Sequence, residues 1–402
     1  LRRSLKRFLI RRDIRDSKDI RDSKDIRDGK DGRVGGLMAK YKFVLVGSGW
    51  RANYYMRIAR ALPEVFELSA IFCRSEERAQ KVAEESGFYT TCSMDECIEL
   101  KPDFVVVSVK KTEGANTARK WMDKGFVVIQ ETPLGLDLET LRNFLDRSKK
   151  GQRIVVAEQY TRYPSIRAIL NVLDKRLIGD VSCLNLSVAH EYHGASIMRA
   201  IMGIKADAEY TVRAKTYEFP VIETLTRYDS FDDGRSALKK RTLATVEFDN
   251  GKLCIYDFDS EQYRSPIRKN TIKVQGLSGE LIDNTCYYLD QECKPHVSLI
   301  EQNEYIVETS NENPNLKRFI EMGNISFEGQ KVYEPYFGLC QLSEDETAIA
   351  KLMAETGEYS RGNADSPYSI EDAIADARFA YILGQAIKSG NTENSLDYCI
   401  EE

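Results

Sequence analysis

Three histidines occur in the 402-residue chain, and two stand three residues apart in His190-Glu191-Tyr192-His193. An imidazole gives and recovers protons near neutrality, which suits a carbonyl that becomes an alcohol. The alternative for each is structural, a ring buried or capping a helix. The run is not H-E-x-x-H, and no metal site is expected from it. A second chemically loaded stretch is Gly47-Ser48-Gly49-Trp50-Arg51-Ala52, a G-x-G-x-x-A. Gly47 permits a tight turn, Gly49 lets backbone approach a diphosphate, and Ala52 allows close helix packing. The N–H groups that open the following helix favour phosphate. Trp50 and Arg51 lie in the same turn. Further on, Phe72-Cys73-Arg74-Ser75 offers no acid until Glu76. An NAD site places Asp or Glu there for the ribose 2′-hydroxyl, whereas Arg74 and Ser75 suit a 2′-phosphate. NADP(H) is therefore favoured over NAD(H).

These residues need elements to position them. Continuous apolar runs at 43–46, 68–72, 104–107, 126–129 and 154–157 alternate with helical stretches such as 50–62. Continuous rather than alternating hydrophobicity predicts strands covered on both faces, as in a parallel sheet wound with helices. Right-handed crossovers put every strand's C-terminal end on one edge, where a ligand is expected. Ser108, at the end of the third run, joins the cofactor-binding candidates. Later segments at 184–190, 241–248, 252–259 and 271–274 read as strands, with Asp249-Asn250-Gly251 as a hairpin turn.

Gln130-Glu131-Thr132-Pro133-Leu134 brings a family into view. The chain resembles the Gfo/Idh/MocA oxidoreductases (glucose–fructose oxidoreductases, inositol dehydrogenases and relatives), which carry Glu-Lys-Pro after the fifth strand. Arg162-Tyr163-Pro164, Leu177-Ile178-Gly179-Asp180-Val181, Ile272-Lys273-Val274-Gln275-Gly276 and Tyr368-Ser369-Ile370-Glu371-Asp372-Ala373 continue the likeness in order, from Lys40 to Asn391. It implies an α/β protein: a Rossmann dinucleotide-binding domain over 38–160, then an α/β substrate and dimerisation domain over 161–402 built on a large, mostly antiparallel sheet. Glu131 and Pro133 fall to the cofactor, and Arg162, Tyr192 and Ser196 to the substrate.

Two positions depart from the family pattern. Thr132 replaces the lysine that lies between substrate hydroxyl and nicotinamide ribose; it offers a hydrogen bond but no charge. Ser196 replaces the aspartate of His-x-x-Asp, while His193 and Gly203 match. The resemblance thus implies hydride transfer between nicotinamide and a sugar, sugar acid or cyclitol, with His193 and Thr132 as catalytic candidates. An imine is the alternative substrate, and a non-catalytic dinucleotide sensor the alternative function. If the residues before His193 form a strand, Glu191 and Tyr192 point to opposite faces and at most one joins it.

Residues 12–33 repeat a tripeptide of base, Asp and a third residue, and segment 1–37 reads as a disordered low-complexity leader. It holds 13 basic and 7 acidic residues, net +6, within a chain of net −5, leaving −11 for the rest. That balance gives no footprint for nucleic acid. No apolar run reaches the ~20 residues of a membrane span. Nine cysteines without C-x-x-C argue for free thiols in the cytoplasm rather than a disulfide framework. The expected partners are a small-molecule substrate and a second copy of the chain, as a homo-dimer or tetramer through the C-terminal sheet.

Overall fold

The first apolar run becomes β1 (Tyr41–Val46), and each run after it becomes another strand of the same sheet. The computed structural model describes residues 39–400 apart from residue 312; the tripeptide repeat lies outside the described residues. The chain proceeds through α1 (Ala52–Ala61), β2 (Phe66–Phe72), α2 (Glu76–Ser86), β3 (Thr90–Thr91), α3 (Met94–Glu99) and β4 (Phe104–Val107). It continues with α4 (Lys111–Met122), β5 (Val127–Gln130), α5 (Leu138–Lys149) and β6 (Ile154–Val156). The six strands pair in parallel in the order β3-β2-β1-β4-β5-β6. This is the doubly wound order, with its topological switch between β1 and β4, where such sheets bind ligands. Side chains alternate across β1: Phe43 and Leu45 enter one core layer with Tyr55, Ile58 and Met353, while Val44 and Val46 enter the other with Trp121 and Phe144. Each such buried side chain contributes about 1.5–3 kcal/mol.

A second, eleven-stranded sheet follows α6 (Pro164–Leu173), whose first turn begins with a proline pre-set for the helix. Its strands are β7 (Val181–Ser187), β8 (Tyr210–Ile222), β9 (Ser236–Phe248), β10 (Leu253–Asp259), β11 (Thr271–Gly276) and β12 (Gly279–Ile282). After them come β13 (Thr285–Leu289), β14 (Pro295–Glu308), the short α8 (Pro314–Lys317), β15 (Arg318–Phe327) and β16 (Gln330–Tyr333). The long α9 (Glu344–Ser360) and α10 (Ile370–Ser389) precede β17 (Thr392–Asn394). The order is β16-β15-β14-β13-β12-β11-β7-β10-β9-β8-β17, antiparallel throughout except for β7 beside β10. α7 (Glu191–Met202) and α10 pack on one face through Met198, Ile201, Phe379 and Leu383. No helix among the described residues is long and apolar enough to cross a membrane, and all nine cysteines are free thiols.

One element differs from expectation in a way that matters for the site. The strand expected over 184–190 ends at Ser187, and His190 is the N-cap of α7 rather than a strand residue. Val188 and Ala189 are both buried, which breaks the alternation. The Tyr256 hydroxyl, reaching from β10, donates to the Ala189 carbonyl and accepts from the Glu191 N–H, both at 2.9 Å. That phenol ties the backbone into a helix start.

Candidate active site

Gly47 ends β1 with φ of 110°, and a Cβ there would lie 2.2 Å from the Ser108 carbonyl oxygen, so only glycine fits. Ser108 is buried and meets the turn through that carbonyl. Over Gly49 the space is open, with nothing within 4 Å of a would-be Cβ. Ala52 is fully buried at the start of α1. The N–H groups of Gly49, Trp50 and Arg51 reach no backbone carbonyl among the described residues. Open space beside unpaired donors at a helix start fits a diphosphate.

Beyond β2, Arg74 is exposed and Ser75 caps α2, its Oγ accepting from the Arg78 N–H at 3.3 Å. Arg78 reaches back to the glycine turn, donating from Nε to Ser48 Oγ at 2.8 Å and from Nη2 to the Ser48 carbonyl at 2.7 Å. Sequence reasoning missed Arg78. Its i, i+4 spacing from Arg74 is the signal that could have found it.

Arg51 and Glu131, both expected at the cofactor, are paired with each other in the structure. Arg51 Nε donates to Glu131 Oε1 at 2.9 Å, and the Tyr55 hydroxyl donates to the same oxygen at 2.7 Å. Arg51 Nη1 also donates to Asp345 Oδ2 of α9 at 2.6 Å, and Gln159 Nε2 to Asp345 Oδ1 at 2.8 Å. Burial works to raise the Asp345 pKa, yet the Arg51 guanidinium holds it below the ordinary carboxylate value. These side chains lock the glycine turn to the end of β5 and to α9. Pro133, joined to Thr132 by a cis peptide bond, accepts from Gln130 Nε2 at 2.9 Å.

Thr132 follows directly, and its Oγ1 lies 3.5 Å from His193 Nε2. On the other side of the ring, His193 Nδ1 is 2.5 Å from Glu158 Oε2. Both His193 and Glu158 are buried. The rings of Tyr160, Tyr192 and His190 surround His193, with centroids 4.6, 4.6 and 5.0 Å away. His190 Nε2 lies 2.9 Å from the Tyr192 hydroxyl, and its Nδ1 contacts the Tyr263 hydroxyl. Burial, then the charges of His193, Lys111 and Arg227, push the His190 pKa down to about 3, so this ring is neutral at physiological pH. Of Glu191 and Tyr192, it is Tyr192 whose ring meets His193, and it does so from the first turn of α7 rather than from a strand, with His190 joining as the N-cap.

Two of the substrate-binding candidates are held by the protein itself. Arg162 is fully engaged: Nε with Glu355 at 2.7 Å, Nη1 with the Glu158 carbonyl at 3.3 Å, and Nη2 with the Pro367 carbonyl at 2.5 Å. It braces the segment that carries Glu158. Ser196 is buried and donates to the His193 carbonyl at 2.9 Å, a bond back onto its own helix. Glu158 was not anticipated, since it lies 35 residues from its partner and in no motif. No group of three or more His, Cys, Asp or Glu side chains suited to a metal occurs among the described residues.

Residues 41–159, the whole of the parallel sheet and its turn, match the model of the Gfo/Idh/MocA oxidoreductase family, described as an NAD-binding Rossmann fold. Over these residues the chain is similar to that family's dinucleotide-binding domain. The glycine turn, with its open space and unpaired N–H donors, is suited to the diphosphate of a nicotinamide dinucleotide. No curated protein matches this chain by sequence. Its fold is shared with solved structures of low identity. One is an Agrobacterium radiobacter oxidoreductase in complex with NAD+, L-tartaric acid and magnesium, at 14% identity and TM-score 0.61, covering 90% of this chain and 100% of that one. A second is apo scyllo-inositol dehydrogenase from Lactobacillus casei, at 14% identity and TM-score 0.59, covering 89% and 98%. A third is levoglucosan dehydrogenase in complex with NADH and levoglucosan, at 15% identity and TM-score 0.61, covering 89% and 100%.

Proposed function

We propose that this oxidoreductase works with NADP(H) on a hydroxyl or carbonyl carbon of a small polar substrate, a sugar, sugar acid or cyclitol. When bound, the nicotinamide supplies or takes the hydride. The observation that carries the reading is the chain Thr132–His193–Glu158. A buried carboxylate on Nδ1 orients the imidazole and stabilises its protonated form, leaving Nε2 to exchange a proton with the substrate oxygen. Thr132 Oγ1, beside Nε2, supplies a hydrogen bond that fixes that oxygen. Lys111, the first residue of α4, is exposed, and its charge acts on His190 and Glu191. It is a cation near the site where Thr132 carries none.

Preference for the phosphorylated cofactor is supported by Arg74 and Arg78 after β2 and by the absence of an acid at that strand's end. The division near residue 160 is supported by the second sheet's core, which begins at Tyr160. Assembly through the open face of that sheet is supported by Tyr217, Leu243, Ile255, Tyr287 and Leu299, which lie on it exposed.

The test follows reduced nicotinamide by absorbance over a panel of sugars, sugar acids, cyclitols and imines. We expect turnover with one class, and a loss of about 10²–10⁴-fold in His193→Ala at unchanged NADPH affinity. An unchanged rate would remove His193 from the mechanism. NADPH binding with no turnover across the panel would favour a non-catalytic sensor.

A further inference from the structure

Two guanidinium groups converge on a single indole. Arg227 Cζ lies 4.7 Å from the Trp50 ring centre and Arg264 Cζ 5.8 Å from it. Arg227 comes from the loop joining β8 and β9, and Arg264 follows the 3-10 turn Ser260–Tyr263 after β10. Neither side chain pairs with a carboxylate within 4.0 Å among the described residues. The groups acting on Arg264 are instead the Arg227 cation and the phenols of Tyr54, Tyr263 and Tyr160, and burial together with Arg227 depresses its pKa. Stacking on an aromatic face accounts for one guanidinium. The second, on Arg227, is exposed, and its charge bears on Arg264 beside it.

Trp50 adds a third unmatched donor. Its Nε1–H is shut off from solvent with no acceptor. The Arg227 loop is pinned, since the Arg227 carbonyl accepts from Asn313 Nδ2 at 3.3 Å and Asn315 Nδ2 at 3.2 Å. The cluster sits between two parts of the site: Trp50 belongs to the glycine turn, while Arg264 lies 5.7 Å from the Tyr263 ring, whose hydroxyl contacts His190. Two guanidinium forks without a carboxylate partner, beside an indole N–H without an acceptor, match an oxyanion.

We infer that Trp50, Arg227 and Arg264 form an oxyanion site taking a phosphate or carboxylate of the ligand held in the cleft. The inference rests on the dinucleotide reading above for the site's place, and it narrows the ligand to one with an anionic group at this point. That group is the cofactor's diphosphate or an acid or phosphate on the substrate. In the second case the substrate is a sugar acid or sugar phosphate rather than a neutral cyclitol.

The experiment compares wild type with Arg227→Gln/Arg264→Gln, and with Arg227→Lys/Arg264→Lys as a variant that keeps the charge. NADPH is titrated by its fluorescence. Glucose 6-phosphate, glucuronate and glucose are then titrated by calorimetry into NADPH-saturated protein at constant ionic strength. If the anion is the diphosphate, the Gln variant loses NADPH affinity by about tenfold or more, with partial recovery in the Lys variant. If it lies on the substrate, NADPH affinity holds while glucose 6-phosphate or glucuronate loses about tenfold and glucose does not change. Affinities for NADPH and both anionic sugars within about twofold of wild type in the Gln variant overturn the inference. Wild type that binds no dinucleotide defeats the cofactor reading instead, and the same sugar titrations on the unliganded protein then decide the oxyanion site.

Discussion

Glu158 determines which proton His193 holds. Its Oε2 lies 2.5 Å from Nδ1, and its Oε1 accepts from the Tyr160 N–H at 3.2 Å, so the carboxylate is fixed in place. An ionised carboxylate only accepts, which puts the ring proton on Nδ1 and leaves Nε2 bare toward Thr132. In Glu158→Gln an amide N–H can face Nδ1 and drive the proton to Nε2, the wrong tautomer for a base. We expect kcat to fall about 10²–10³-fold with NADPH affinity unchanged and the pH–rate profile displaced, and Glu158→Asp to recover part of the loss. A profile that keeps its shape would show Glu158 to be structural only. The imidazole was legible in the sequence because histidine is scarce and His193 stood in a recognisable motif. Its partner was not, since tertiary structure alone brings the segment after β6 against α7. Arg162 and Ser196 suit a substrate by type, but carbonyl groups and Glu355 take their donors, which only the tertiary structure reveals.

Elements held together by local sequence were read well. An apolar run, a glycine pair and a small residue specify β1, its turn and α1 within a dozen positions, and the fold follows them. The same turn separates folding from binding. In Gly47→Ala the new methyl meets the Ser108 carbonyl at 2.2 Å, on a backbone at φ 110° that L residues avoid. A loss of about 2–4 kcal/mol in urea unfolding is expected. Gly49→Ala has neither problem, because its Cβ enters open space. Its stability should stay within about 0.5 kcal/mol of wild type, while NADPH titration shows weakened binding as the methyl takes room meant for phosphate. Equal affinity in Gly49→Ala would place the diphosphate elsewhere. Only four strands of the second sheet were legible, β7, β9, β10 and β11, and not their order, because β7 inserts between β10 and β11 from some seventy residues away. The start of α7 was lost to a strand-like pattern that a tyrosine from β10 interrupts.

Across the whole molecule, the late helices join the two sheets through buried charge. α9 brings Asp345 to Arg51 and Glu346 to Arg57, and α10 brings Asp376 to Arg199, with Tyr368 donating to Asp376. These groups give stability a pH dependence whose sign can be worked out. His190 is pushed down to about 3 by burial and by the charges of His193, Lys111 and Arg227. A group whose folded pKa is lowered contributes stability that is complete above its unfolded value, near 6.5, and is lost as pH falls toward 3. Asp376 goes the other way: burial, against the pull of Arg199, raises it to about 7. Its contribution is complete below about 4 and is lost as pH rises through 7. Between pH ~4.5 and ~7 the two slopes oppose each other, so the wild-type urea midpoint should vary little. His190→Asn removes the contribution that grows with pH, tilting the profile toward greater stability in acid. Asp376→Asn removes the one that shrinks, tilting it toward greater stability near neutrality. Two variants that tilt the same way, measured as urea midpoints across that range, would show that these two buried groups do not set the balance.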